Sequence, residues 1–220
     1  MPIKISLVKN LKKNKVGAIY RRLFDRFGPQ HWWPGESPFE IMVGAVLTQN
    51  TSWRNAERAI ENLKSAHLLA PKKIHTLPVN RLAHLIRPSG FYRLKARRLK
   101  PLVRWFLVRY RGNPQALAEQ KIQILRPELL NLPGIGPETA DSILLYALNK
   151  PVFVVDAYTK RVFSRHQFFT ADARYPEIQD FFMSSLPRDY KLFNEYHALI
   201  VKLAKTYCKS NPLCADCPLA

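Results

Sequence analysis

Cysteine is scarce in this sequence, and acidic side chains are few beside the basic ones. Its 220 residues include three cysteines, and all of them, Cys208, Cys214 and Cys217, lie in the last 13 positions. That excludes a disulfide framework running through the chain and leaves one local thiol cluster, suited to metal before a bridge. Asp and Glu number 16 against 35 Lys and Arg, a formal charge of +19. So basic a chain calls for a polyanion. Because the charge is spread along the sequence rather than set beside one apolar helix, nucleic acid fits better than a membrane surface. Charge alone leaves a ribosome-associated or generically basic protein open.

Long apolar runs are missing too. None approaches the roughly 20 residues needed to span a bilayer. Residues 1–15 lack the apolar stretch and small-residue cleavage site of a secretory signal. The expectation is a cytoplasmic protein, nucleoid-associated in a bacterium, with no membrane partner. Strand patterning is nearly absent: only VFVVD at 152–156 reads as a strand, and five residues are too few to carry a sheet. There is no internal repeat. A hydrophobic content of 47% is enough to bury one large core or two small ones.

What is present is helix, and the expected class is an all-α fold. Val16, Ile19, Tyr20, Leu23 and Phe27 recur at spacings of three and four, and Gly28-Pro29 stops that helix. Ser37 and Pro38 are suited to open FEIMVGAVLTQ, which is apolar on nearly every side and therefore central. Further amphipathic helices are expected over 52–64, 79–86, 93–110, 114–130, 157–165, 175–185 and 190–208.

The most informative stretch is LLNLPGIGPETADSILLYAL, residues 129–148. Pro133 blocks one helix, Gly134 and Gly136 permit a hairpin with positive φ, and Pro137 starts the next helix. Leu132 and Ile135 give the hairpin an apolar anchor while its backbone N–H groups remain able to approach a phosphate. A purely structural helical hairpin is the plainer alternative. Taken with the net charge, phosphate binding is the better reading.

At this point the chain resembles the helix-hairpin-helix glycosylase superfamily that includes endonuclease III and the adenine glycosylase. The matching segments are SPFEIMVGAVLTQNT, RPSGFYRLKARRL, LPGIGPETAD, VVDAYTKRV and the terminal cysteines, in that order. The resemblance implies two helical lobes: 36–150, holding the helix-hairpin-helix, and 1–35 with 151–220, ending in the cysteine loop. It implies a monomer acting on double-stranded DNA with a damaged base, which enters between the lobes. It places the family's aspartate at Asp156, 20 positions after Gly136. Breaking an N-glycosidic bond develops oxocarbenium-like charge on the sugar, which a fixed carboxylate stabilises while orienting or activating water. Asp156 is equally well suited to cap the helix that follows it.

Bifunctional members of that superfamily carry a lysine two positions after the last hairpin glycine, where its amine forms a Schiff base with the sugar. Here the position holds Glu138. The candidate catalytic residues are therefore Asp156 and Glu138, with base excision expected to proceed without strand cleavage. Glu138, LTQNT and the Trp-Trp-Pro run resemble the 3-methyladenine branch. By that resemblance Trp32 and Trp33 would stack on a flipped, electron-poor purine, though adjacent tryptophans are as often a hydrophobic plug. Gln49 and Phe91 match the positions that fill the gap left by the flipped nucleotide, Gln49 as polar filler and Phe91 as wedge. Arg93, Lys95, Arg97, Arg98 and Lys100 are expected on a phosphate-facing surface. The family's four-iron four-sulfur cluster uses four cysteines, and this chain supplies Cys208, Cys214 and Cys217. His197 is a conceivable fourth ligand. Two other functions stay open: a bifunctional glycosylase and lyase, and a DNA-binding module without catalysis.

Overall fold

A computed structural model describes residues 2–220, with side chains from residue 14 onward. The described residues form twelve α-helices and no strand, and they divide into two compact units, Met1–Trp32 with Pro151–Ala220, and Trp33–Lys150. The division falls between the paired tryptophans.

In the continuous unit, α2 (Pro38–Leu47) is the centre: every residue from Phe39 to Leu47 is buried. Its start follows from two residues. Ser37 is extended and accepts the Glu40 N–H at 3.2 Å, and Pro38 fills the first turn, where no N–H is needed. Around it pack α3 (Trp53–Ser65), α6 (Tyr92–Tyr110) and a π-turn at Ile143–Ala147. Two short helices, α4 (Pro71–Thr76) and α5 (Val79–Leu85), lie against α6. The sequence pattern does not show α4, because six residues are too few to display a period. Its last carbonyls, those of Ile74 and His75, are instead satisfied by Lys100 Nζ. The single helix expected over 114–130 is two, α7 (Pro114–Ala118) and α8 (Ile122–Leu130). Asn113 caps the first by accepting the Gln115 N–H at 2.9 Å, and the chain breaks at 119–121 before turning into the second. A hairpin then leads into α9 (Pro137–Ser142).

The other unit joins α1 (Pro2–Phe27) to α10 (Ala157–Arg165), α11 (Tyr175–Ser185) and α12 (Tyr190–Thr206). Aromatic rings fill its core: Phe153 stacks on Phe182 at 4.1 Å, with Phe163, Phe193 and Tyr196 edge-on around them. The apolar run 152–155 is extended but pairs with no strand. Its buried backbone is served by side chains, Gln179 Nε2 donating to the Phe153 carbonyl at 2.7 Å and Val155 N donating to the Tyr175 hydroxyl at 3.4 Å. This buried strap delivers the chain to Asp156.

Candidate active site

At the hairpin, Gly134 has φ +80°, a conformation that favours glycine, and a Cβ there would lie 2.5 Å from the Arg98 side chain. Gly136 departs from the expectation: its φ is −89° with ψ 178°, extended backbone open to any residue, and a Cβ on it would meet open space. Only one of the two glycines is needed for the turn. Ile135 is buried beneath it, and Leu132 is half-buried. The hairpin is held from both sides. Gln49 Nε2 donates to the Gly134 carbonyl at 3.0 Å and to Thr139 Oγ1 at 2.9 Å, while Gln49 Oε1 accepts from Arg98. Behind the turn, Arg126 on α8 grips the fully buried Asp141 of α9 through two bonds of 2.7 and 3.0 Å. Glu138 is exposed in the first turn of α9, where the helix dipole favours an acid.

Phe91 stands 68% exposed, and its backbone is left-handed at φ 44°, a strained setting for an aromatic residue. The loop carrying it is fixed by Lys95. This residue is 1% exposed, so it is no phosphate-facing cation: Nζ donates to the Ser89 carbonyl at 2.6 Å and to the Leu47 carbonyl at 2.8 Å. Burial, with Arg98 nearby, lowers its pKa to about 8. Lys95 lies on the buried stripe with Leu99, Leu102 and Phe106, a spacing legible in the sequence although the charge concealed it. Lys100 is likewise spent on carbonyls, whereas Arg93 and Arg97 are exposed.

Trp33 packs in its own unit against Trp53 and Tyr146, each at 5.0 Å, with Gly44 leaving room for the indole. Trp32 is half-buried in the other unit.

Asp156 is the N-cap of α10: Oδ1 accepts the Thr159 N–H at 2.7 Å, and Oδ2 stands 3.5 Å from His197 Nε2 on α12. Its side chain is 12% exposed. Burial would raise its pKa, but His197 and the Thr159 bonds outweigh this and hold it below the usual 3.8. Asp156 is thus a largely buried, ionised carboxylate at a helix start, held by the Thr159 N–H and faced by His197.

Comparison with known proteins decides the family. Residues 43–188 match the HhH-GPD superfamily base excision DNA repair protein family. The chain belongs to it. It is thus a DNA glycosylase of the HhH-GPD base excision repair superfamily. A protein of Methanocaldococcus jannaschii, provisionally named a DNA repair glycosylase, is 50% identical over 95% of this chain and 97% of its own. Among solved structures, the Helicobacter pylori 3-methyladenine DNA glycosylase MagIII bound to 1,N6-ethenoadenine is similar with TM-score 0.74. It is 31% identical over 90% of this chain and 97% of its own. An endonuclease III–DNA complex, at 24% identity over 94% of this chain and 92% of its own, shares the fold with TM-score 0.80.

In this glycosylase His197 lies against Asp156, not at the cysteines. Cys208 follows it by 11 residues on α12 and beyond, a rise of about 16 Å along a helix, so His197 is no cluster ligand. The cysteines Cys208, Cys214 and Cys217 line one cavity of about 110 Å³ with Arg165, Tyr207 and Leu213. Arg165 Nη1 donates to Cys208 Sγ at 3.3 Å. Among the described residues no three His, Cys, Asp or Glu side chains converge on a single metal ion. No described helix is long and apolar enough to cross a membrane.

Proposed function

We propose that this glycosylase is monofunctional and hydrolyses the N-glycosidic bond of a flipped, alkylated base in double-stranded DNA, acting as a monomer. The observation that carries the reading is Asp156. A carboxylate held ionised cannot protonate a departing base, but its charge opposes the positive charge that builds on the sugar, more strongly for being largely out of water. It also accepts the proton of the attacking water. A base already cationic through alkylation needs no proton to leave, which suits this arrangement. The likeness to the protein bound to 1,N6-ethenoadenine supports the same substrate class. Hairpin amides around Gly134 and Gly136 would take a phosphate, Phe91 would enter the stack, and Trp32 and Trp33 would supply aromatic faces for the base.

Glu138 supports the absence of a lyase step, since a carboxylate forms no imine. Cys208, Cys214 and Cys217 would hold three irons of a four-iron four-sulfur cluster, which when bound would cross-link the loop after α12. Iron and acid-labile sulfide in freshly purified protein check that assignment. Function is tested with duplexes carrying one defined lesion each, scored with and without hot alkali. Alkylated purines should be released, with strand breaks only after alkali and no borohydride trapping. Efficient trapping of the wild-type protein on damaged DNA would overturn the monofunctional assignment, and Glu138→Lys is expected to gain it.

A further inference from the structure

We propose that His197 is a positioning residue for the excision reaction, setting the aim of the Asp156 carboxylate. The inference rests on the reading of Asp156 given above. Each carboxylate oxygen is addressed from a different element: Oδ1 by the Thr159 N–H of α10 itself, Oδ2 by His197 Nε2 of α12 at 3.5 Å. A helix cap alone fixes one oxygen and leaves the carboxylate plane free to turn about it. The imidazole supplies the second point, and the two held oxygens with Cγ define the plane.

The surroundings hold that second point still. His197 is 5% exposed, and its neighbour Tyr196 is fully buried, its hydroxyl donating to the Val16 carbonyl of α1 at 2.8 Å. From the middle of α10, Arg161 Nε donates to the Cys208 carbonyl at 2.8 Å, and its Nη2 to the Ala204 carbonyl at 3.3 Å. Arg161 thus fastens α10 to the C-terminal end of α12, and the two helices meet again where Asp156 at the start of α10 faces His197. An orienting partner behind the reacting group is how a weak polar group is made effective, because rate falls steeply with small misplacement of the reacting atoms.

The test measures single-turnover excision and duplex affinity separately on the full chain. His197→Leu should lower the excision rate by about 10-fold to 100-fold and leave duplex affinity unchanged. His197→Gln, whose amide N–H can occupy the place of Nε2–H, should recover most of the rate. Introduced into Asp156→Asn, the leucine change should cost nothing more, since its effect passes through the carboxylate. A merely structural histidine would give additive losses and no difference between Gln and Leu. If His197→Leu does not fold, His197→Asn, whose amide stops short of Asp156, takes its place and should be as slow as the leucine variant is expected to be. Wild-type rates in His197→Leu, or equal rates for the Gln and Asn variants, overturn the proposal while leaving Asp156 in place. Full excision by Asp156→Asn overturns it together with the reading beneath it.

Discussion

The hairpin and the start of α10 use polar groups in opposite ways. At 134–139 the turn is mostly exposed and offers uncharged backbone, held by the Gln49 amide, while its strongest ion pair, Arg126–Asp141, lies behind it. At α10 a single carboxylate is kept ionised in a largely buried setting. Backbone amides suit contacts common to every duplex, and a fixed charge suits one step of chemistry. The two regions should therefore fail differently, the first in stability and affinity, the second in rate.

The largest effect is expected from Arg126→Leu, which strips the arginine from a fully buried Asp141 and should cost about 3 kcal/mol or more of stability by urea unfolding. A loss under about 1 kcal/mol would mean that the hairpin is held chiefly by Gln49. Next is Asp156→Asn, which should slow single-turnover excision roughly 100-fold or more with duplex affinity nearly intact. Equal losses in rate and affinity would erase the contrast between the regions. Gly134→Val combines strained φ with collision on Arg98 and should destabilise by about 2 kcal/mol. Gly136→Val should fold normally, having extended backbone and open space, yet weaken binding to damaged and undamaged duplexes alike. Unchanged affinity in that variant would remove the hairpin from the DNA-binding surface.

A pH-dependent effect is expected at Lys95. Its folded pKa is lowered to about 8 from 10.5, so the unfolded chain binds more protons between those values and stability rises with pH across that window. Unfolding at several pH values should show the wild type gaining on Lys95→Met as pH climbs from 8 to 10.5. A constant difference would mean that the lysine stays charged on its two carbonyls.

By itself the sequence determined the all-α class, the Ser37–Pro38 helix start, the hairpin and the cap at Asp156. Each is decided by neighbours within one or two turns, through helical period, proline's missing N–H or a side chain reaching its own helix. It could not tell which lysine of a basic helix is buried, which glycine needs a positive φ, or that His197 belongs to Asp156 and not to the cysteines. Lys95 reads as one more surface cation until the Leu47 and Ser89 carbonyls are brought to it from 48 and six residues away. Local pattern carries no information about such partners. Only the packing of α2 against α6, and of α10 against α12, decided which groups these buried charges face, because a polar group leaves water only when the fold supplies a partner.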